Sequence, residues 1–193
     1  MNRIFCIVGK SASGKDTIYK EILEVREQNL IPVVPYTTRP MRVGEENGVD
    51  YNFVTETEMR RLEREGRIIE RRQYNTTQGI WYYFTVKFDT EEDKDYILIS
   101  TLEGAHEITR FYGTDRVKVI YLALDDETRL LRCIARESKQ KKPDYSEVCR
   151  RFLADQEDFS EDKINAFENL YTIDTKFDVE CCLKQWNDFY ISL

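Results

Sequence analysis

Short apolar runs alternate along this chain with stretches whose apolar residues recur at helical spacing. The runs predict buried strands at 4–8, 96–101, 117–124 and 170–174. The other stretches predict helices that begin near Lys15, span 104–111, run from Asp125 or Asp126 to Glu137, carry Arg150 and Arg151, and span 179–190. Apolar strands separated by helices are typical of a parallel sheet that is covered on both faces. The pattern therefore predicts an α/β fold with a mainly parallel sheet and helices on both faces.

The region from about 35 to 94 departs from this alternation. Two prolines, Pro32 and Pro35, make residues 30–36 a short extended segment rather than a central strand. Thr55 and Glu58 form a capping box that predicts the start of a helix, which ends near a glycine at position 66. Apolar and aromatic residues predict two further strands at 68–74 and 81–86. We expect this region to form a small mixed insertion between strands of the main sheet.

The length of 193 residues and the hydrophobic fraction of 41% are sufficient for a single domain with a substantial core. The segment that follows Glu137 is polar and basic and contains one proline, which is typical of a mobile lid. We therefore expect one domain over 1–193, with a core at 1–34, 95–137 and 146–193, the insertion at about 35–94 and the lid at about 138–145.

Charge and cysteine content limit the classes of partner. The chain has 29 basic and 36 acidic residues, a net charge of −7, and this balance argues against a nucleic acid polymer as partner. No run approaches the length of a membrane span, so we expect no membrane partner. The five cysteines show no C-x-x-C pattern, and no signal-peptide pattern precedes them, so we expect a cytoplasmic protein without disulfides. The sequence leaves open whether the protein is a monomer or a homodimer.

The first apolar run leads directly into a glycine-rich stretch, Gly9-Lys10-Ser11-Ala12-Ser13-Gly14-Lys15-Asp16-Thr17. A strand, a G-x-x-x-x-G-K loop and a helix together predict a P-loop, and hence an α/β fold of the P-loop NTPase type. Glycines let the backbone approach a ligand closely, successive amides and the helix N-terminus attract phosphate, and Lys15 can reach the outer phosphates. The alternative is a glycine turn followed by a solvated lysine. The predicted binding residues for a nucleoside triphosphate are Gly9, Ser11, Ala12, Ser13, Gly14, Lys15, Asp16 and Thr17.

Asp16 stands where the P-loop pattern has a serine or threonine that ligates Mg²⁺. A carboxylate is itself a good ligand for a hard cation, so Asp16 is a candidate metal ligand. The alternative is an acidic residue in the first turn of a helix, where the helix dipole stabilises negative charge. The sequence favours neither interpretation.

Five arginines are further candidates for phosphate binding. Arg39 and Arg42 lie in a loop after the extended segment, and Arg132, Arg136 and Arg151 lie on the helices on either side of the predicted lid. Guanidinium groups hold phosphate through paired hydrogen bonds, so these residues could surround phosphates near the P-loop. The alternative is that they are solvated surface charges.

Two segments resemble the guanylate kinase family of nucleoside monophosphate kinases. One is the P-loop at 9–17, and the other is Thr37-Thr38-Arg39-Pro40-Met41-Arg42-Val43-Gly44-Glu45 followed by Asn47-Gly48-Val49-Asp50-Tyr51-Asn52-Phe53-Val54. A P-loop alone would not choose among the many enzymes that contain one, whereas the second segment is highly specific for this family. The resemblance covers nearly the whole chain and implies a P-loop kinase fold.

The resemblance also implies roles for individual residues. Arg39, Arg42, Tyr51 and Tyr83 would bind the acceptor phosphate, Glu45 would support them, and Glu70 would read the edge of guanine. Among these base contacts Thr85 keeps a hydroxyl, whereas Pro35 replaces a family serine that contacts the base oxygen. The paired strand aspartates of the family fall at Ile99 and Thr101. The acceptor-binding set implied in this way is Arg39, Arg42, Glu45, Tyr51, Glu70, Tyr83, Thr85 and Thr101.

The implied activity is ATP- and Mg²⁺-dependent phosphorylation of GMP or dGMP. The implied catalytic residues are Lys15, Arg42, Arg132, Arg136 and Arg151, which would position the phosphates and cancel their charge. One alternative is a guanylate-kinase-like binding module without turnover, although the presence of Lys15 argues against it. Another alternative is a P-loop kinase with a different nucleotide acceptor.

Overall fold

A computed structural model of the chain describes residues 2–25, 28–76 and 79–193. Its strands are Ile4–Val8 (β1), Ile31–Pro32 (β2), Tyr36–Thr37 (β3), Asn52–Phe53 (β4), Ile68–Thr76 (β5), Gly79–Val86 (β6), Tyr96–Ile99 (β7), Val117–Ala123 (β8) and Leu170–Asp174 (β9). Its helices are Lys15–Glu24 (α1), Glu56–Arg64 (α2), Leu102–Tyr112 (α3), Asp126–Glu137 (α4), Tyr145–Asp158 (α5), Glu161–Asn165 (α6) and Val179–Ile191 (α7). In this part of the chain, no helix is both long enough and apolar enough to cross a bilayer.

The larger sheet has the strand order β2-β7-β1-β8-β9, and every neighbouring pair in it is parallel. Its central strand β1 is fully buried and sends alternate side chains to opposite faces. Ile4, Cys6 and Val8 pack with apolar residues of α3 on one face. Phe5 and Ile7 pack with α1 and α7 on the other face. This arrangement confirms the predicted parallel sheet with helices on both faces.

A second sheet, in the order β4-β3-β6-β5, combines one parallel pair with antiparallel pairs. It packs on α2, where Met59 and Leu62 contact Tyr82, Phe84 and Val86 of β6. Along β5, side chains alternate between the two faces of this sheet. The mixed sheet lies within the stretch where the sequence predicted an insertion.

Side-chain caps set several helix boundaries. The Thr101 hydroxyl accepts from the backbone N–H of Gly104 at 3.1 Å, so α3 begins at Leu102, two residues before the predicted start. The preceding strand consequently ends at Ile99 rather than at Thr101. Asp125 rather than Asp126 caps α4, because its carboxylate accepts from the N–H of Thr128 at 2.9 Å. Because β7, β1 and β8 are parallel neighbours, the loops that follow them lie at the same edge of the sheet, where ligands of open α/β sheets bind.

Candidate active site

The loop between β1 and α1 has the backbone that the glycine-rich pattern requires. A Cβ on Gly9 would lie 2.9 Å from the Leu122 carbonyl oxygen and 2.7 Å from the Ser13 hydroxyl, so no other residue fits there. Gly14 precedes α1 with a φ of +94°, a left-handed conformation that glycine adopts without strain. No side chain of the described residues caps the N–H groups at this helix start. The loop therefore leaves backbone donors open to an anion.

Lys15 opens α1 and folds back over the loop. Its ammonium donates to the carbonyl oxygens of Gly9 at 2.5 Å and Lys10 at 3.1 Å. Burial lowers the pKa of Lys15, and the nearby carboxylates of Asp16 and Asp155 partly oppose that shift. A buried cation of this kind is stabilised further when anionic phosphates bind beside it.

Two cavities meet at Lys15, which lines both. The smaller has a volume of about 420 Å³ and contains the predicted triphosphate-binding residues Ala12, Ser13, Gly14, Asp16 and Thr17. The larger has a volume of about 960 Å³ and extends from Gly9 and Ser11 toward β5 and α3. The geometry therefore offers two neighbouring ligand sites on either side of one ammonium group.

Arg132 and Arg136 of α4 line the smaller cavity together with the P-loop, as the sequence predicted for arginines near phosphates. Thr175, Phe177 and Val179, which follow β9, line the opposite part of this cavity. Sequence reasoning missed these three residues because they belong to no motif. Their position directly after the last predicted strand was the available signal, since such loops of a parallel sheet lie at the ligand-binding edge.

Glu70 lies on β5 next to the larger cavity, whose lining includes Arg72 but not Glu70. Its side chain is 3% exposed. One carboxylate oxygen accepts from the Thr85 hydroxyl at 2.7 Å. The other accepts from Nε of Arg72 at 3.0 Å. Glu70 and Thr85, both predicted to contact the acceptor, therefore form one hydrogen-bonded unit.

Residues at the start of α3 complete this corner of the larger cavity. Ser100 and Thr101 line the cavity, and the Glu70 carboxyl carbon lies 3.4 Å from the position that a Cβ on Gly104 would occupy. A side chain at Gly104 would also meet the Ser100 hydroxyl at 2.5 Å, so glycine is required for this close approach. The Ser100 hydroxyl is buried without a hydrogen-bond partner among the described residues.

A second cluster centres on Arg39, which is 4% exposed. Its guanidinium donates two hydrogen bonds to Glu45, at 2.7 and 2.5 Å, and one to the Tyr83 hydroxyl at 3.1 Å. It also lies over the ring of Tyr51, 5.1 Å from the centroid. The structure thus brings together Arg39, Glu45, Tyr51 and Tyr83, four of the residues predicted to hold the acceptor phosphate.

The Arg39 guanidinium lowers the pKa of Glu45 from 4.5 to about 2, and the backbone N–H of Arg42 contributes to the shift. A lowered pKa means that the ion pair stabilises the fold fully above pH 4.5 and that this contribution is lost as the pH falls through about 2. We expect Glu45→Gln to lower the free energy of unfolding by about 1–2 kcal/mol at neutral pH. The difference from the unmodified protein should shrink below pH 4.5.

Urea unfolding between pH 7 and pH 2 measures this difference. The exposed neighbour Glu46 provides a control variant, Glu46→Gln, whose difference from the unmodified protein should stay small at every pH. A Glu45→Gln difference that does not change with pH would show that the Arg39–Glu45 pair is not the source of the effect.

Three of the predicted residues lie apart from these clusters. The Arg42 side chain is exposed, while its backbone N–H donates to the Glu45 carboxylate at 2.8 Å and its carbonyl accepts from the Glu45 N–H at 3.2 Å. Arg151 is exposed on α5 and donates to Glu147 at 2.7 Å. Asp16 is an exposed carboxylate at the rim of the smaller cavity, and no group of three or more candidate metal-binding side chains occurs among the described residues. The functional assignments of these residues stay predictions.

Sequence reasoning also missed a buried ionic network under the P-loop. Arg129 of α4 is fully buried and donates to Asp155 of α5 at 2.9 Å and to Asp126 at 3.0 Å. The same Asp155 oxygen accepts from the backbone N–H of Ser11 at 2.8 Å. The network connects the P-loop to both helices that flank the predicted lid. A signal was available, because Arg129 and Cys133 share the buried face of α4.

Comparison with known proteins identifies the family. A family model described as guanylate kinase matches residues 1–162. The guanylate kinase of Thermotoga maritima is 35% identical over 144 residues, which cover 74% of this chain and 67% of that protein. The chain belongs to the guanylate kinase family. This membership confirms the resemblance that the P-loop and the second arginine-containing segment indicated.

Other guanylate kinases agree with this placement. That of Porphyromonas gingivalis is 32% identical over 126 residues, which cover 63% of this chain and 65% of that protein. That of Francisella tularensis subsp. holarctica is 31% identical over 148 residues, which cover 72% of this chain and 75% of that protein. The crystal structure of guanylate kinase from Anaplasma phagocytophilum matches 99% of this chain and 85% of that chain, with a TM-score of 0.67 and 20% identity. That structural likeness confirms the P-loop α/β fold of the guanylate kinase family.

Proposed function

We propose that this protein transfers the terminal phosphoryl group of ATP to GMP or dGMP. The observation that carries the proposal is the position of Lys15, which lines both cavities. A donor nucleotide in the smaller cavity and an acceptor nucleotide in the larger cavity would have their phosphates meet at this ammonium group. Relatives that carry the name guanylate kinase support the same activity.

The smaller cavity suits the donor. Open backbone N–H groups at the start of α1 match the oxygens of a phosphate chain. Arg132 and Arg136 face the same space and would add positive charge near the transferred group. Phe177 offers a large apolar side chain, 60% exposed, against which a base could pack. These features fit ATP in the smaller cavity.

The larger cavity suits the acceptor. The Arg39 cluster lies next to this cavity, because the ring of Tyr83 contacts the ring of Tyr74 in the cavity wall. It would hold the acceptor phosphate with a guanidinium already oriented by Glu45 and Tyr83. Glu70 would accept hydrogen bonds from the N–H edge of guanine. Thr85 and Thr101 lie beside Glu70 and would line the base site. Tyr51 and Arg42 are proposed to complete the phosphate site.

Phosphoryl transfer between two nucleotides needs little covalent chemistry from the protein. The acceptor phosphate is already anionic, so no general base is required. Catalysis consists of holding the two phosphates in line and stabilising charge on the moving group. We propose that Lys15, Arg132 and Arg136 stabilise that charge, with Arg42 and Arg151 joining them when the lid closes.

Mg²⁺ is compatible with the residues at the donor site. Proteins hold Mg²⁺ with one or two carboxylates together with substrate phosphates and water, and a full cage of protein ligands is unnecessary. Asp16 would be the protein ligand, because its exposed carboxylate lies next to the phosphate-binding loop. A bound Mg²⁺ would neutralise charge on the triphosphate.

A coupled assay of ADP release tests the proposal. Mg²⁺-ATP would be combined in turn with GMP, dGMP, AMP, CMP and UMP, and we expect GMP or dGMP to give the highest kcat/KM. Calorimetric binding of GMP without any turnover would indicate a binding module instead. Faster turnover of AMP, CMP or UMP than of GMP would indicate a kinase with a different acceptor.

We propose that residues 138–145 form a lid. Residues 138–144 are all exposed. Turns form at 138–140, and Asp144 donates its backbone N–H to Glu137 at 2.8 Å and caps α5 with its carboxylate. A segment that buries so little is expected to exchange its amide hydrogens rapidly. We predict that exchange over 138–144 slows by about tenfold or more when ADP and GMP are both bound, because closure orders the segment.

Hydrogen exchange followed by mass spectrometry measures this effect. The exposed turn at 113–115 is the internal control, since it lies at the amino-terminal end of β1, opposite the P-loop. Equal exchange over 138–144 with and without the nucleotides would contradict a closing lid.

We also propose that the protein works in a reducing cytoplasm. All five of its cysteines are free thiols in the structure, and three of them are buried. The proposed partners are the small nucleotides ATP and GMP or dGMP. Monomer and homodimer both remain compatible with this function.

A further inference from the structure

Arg72 lies two residues beyond Glu70 on β5, on the same face of the strand. Its Nε donates to one Glu70 oxygen at 3.0 Å and its Nη2 donates to the other at 3.2 Å. The Arg72 side chain is 18% exposed and lines the larger cavity. The carboxylate proposed to read the base is therefore half of an arginine–carboxylate pair.

The hydrogen-bonding capacity of this pair is only partly used. A carboxylate has about four acceptor positions, and Arg72 and Thr85 together occupy three of those on Glu70. A guanidinium has about five N–H donors, and within the described part of the chain Arg72 uses two of them, both on Glu70. Thr85 has no hydrogen left to donate, because its hydroxyl already donates to Glu70. The pair thus presents a free acceptor beside free donors.

We propose that the Arg72–Glu70 pair determines base specificity by reading the lactam edge of a 6-oxopurine. Glu70 accepts from N1–H at the open position of the oxygen that Nε of Arg72 contacts, and a free N–H of the Arg72 guanidinium donates to O6. This inference rests on the proposed function, in which the larger cavity takes the acceptor nucleotide. Arg72 is then a specificity-determining residue, and the acceptor class is a purine with a carbonyl at C6 and a hydrogen on N1.

The pairing explains which bases are rejected. Adenine carries an amino group at C6 and no hydrogen on N1, so it faces Arg72 with a donor and leaves Glu70 without one. A site built to pair with a substrate group discriminates strongly against analogues that lack it. The 2-amino group of guanine is not needed for these two bonds. Hypoxanthine, which has the same N1–H and O6 but no 2-amino group, should therefore be accepted as well.

The test measures kcat/KM for GMP, IMP, 2-aminopurine riboside monophosphate and AMP with the unmodified protein and with Arg72→Ala. The 2-aminopurine nucleotide retains the 2-amino group but lacks O6 and N1–H. We expect Arg72→Ala to lower kcat/KM for GMP and for IMP by about 10- to 100-fold, as for a lost charged hydrogen bond. The 2-aminopurine nucleotide should change less than about threefold, because it has no oxygen for Arg72 to contact.

Arg60→Ala is the matched control. Arg60 of α2 lines neither cavity, pairs with Glu56 at 3.0 Å and lies over the ring of Tyr82. Its replacement should leave the ratio of GMP to 2-aminopurine nucleotide turnover unchanged. Arg72→Lys should recover part of that ratio, because an ammonium supplies one donor without the planar fork.

The kinetic results for Arg72→Ala separate a role in base recognition from a structural role. An equal loss for all four nucleotides would assign Arg72 a structural role and overturn the inference. Unchanged or faster GMP turnover in Arg72→Ala would show that Arg72 only obstructs Glu70, which also overturns it. In both cases GMP turnover by the unmodified protein would leave the proposed function intact. If the unmodified protein phosphorylates none of the four, the proposed function fails and the inference fails with it.

Discussion

Lys15→Ala should fold normally and lose about 10²- to 10³-fold in kcat for phosphoryl transfer to GMP, by analogy with the loss of a single oxyanion donor. The ammonium of Lys15 is the cationic group that both cavities share. Charge on the transferred group develops between the two nucleotides, so this group stabilises the transition state more than either ground state. Steady-state kinetics with saturating Mg²⁺-ATP and varied GMP measures the effect.

The fold of this variant should change little. Among residues 2–25, 28–76 and 79–193, the Lys15 ammonium donates to the loop carbonyls of Gly9 and Lys10 alone, and the cavities give water access to that position. Lys20→Ala provides the control, because Lys20 is an exposed lysine on the same helix. We expect Lys20→Ala to keep full activity. A Lys15→Ala protein with the same circular dichroism and more than half of the original kcat would contradict the P-loop assignment.

The part of the fold that the sequence predicts well is the parallel sheet, whose buried strands are continuous apolar runs. The parallel strands at 4–8, 117–123 and 170–174 are apolar because both faces of the sheet are covered, and such runs stand out in a sequence. The predicted start of α3 was less accurate. There the Thr101 cap, a single hydrogen bond to Gly104, sets the boundary, and a threonine hydroxyl carries no periodic signal.

The site residues also separate into those that the sequence predicts and those that it does not. The glycine spacing and the arginine segment have fixed sequence positions, so residues such as Lys15 and Arg39 could be chosen in advance. For Arg129 the sequence offers just its helical spacing to Cys133, because the partner Asp155 that accompanies its burial is distant in the chain. The pairing of Arg72 with Glu70 is local by contrast, because residues two apart on a strand share one face. Long-range partners decide whether an arginine is structural, functional or exposed, and the sequence alone does not specify them.

Glu70→Gln should lower kcat/KM for GMP by about 10- to 100-fold and change kcat/KM for AMP by less than about threefold. The Glu70 carboxylate is almost fully buried and is oriented by Arg72 and Thr85. A glutamine has the same shape but replaces one acceptor oxygen with an N–H₂ group, so a donor would face a donor on guanine or on Arg72. Adenine lacks N1–H and gains nothing from the carboxylate, so its turnover should respond far less.

The matched control for this prediction is Glu63→Gln. Glu63 of α2 pairs with Arg71 and lines neither cavity, so the control removes a more exposed ion pair of the same residue types. We expect Glu63→Gln to leave the ratio of GMP to AMP turnover unchanged. Equal losses for GMP and AMP in Glu70→Gln would mean that Glu70 holds the fold of the insertion and does not read the base. A selective loss for GMP places base recognition on the carboxylate, because a merely structural defect would affect both acceptors alike.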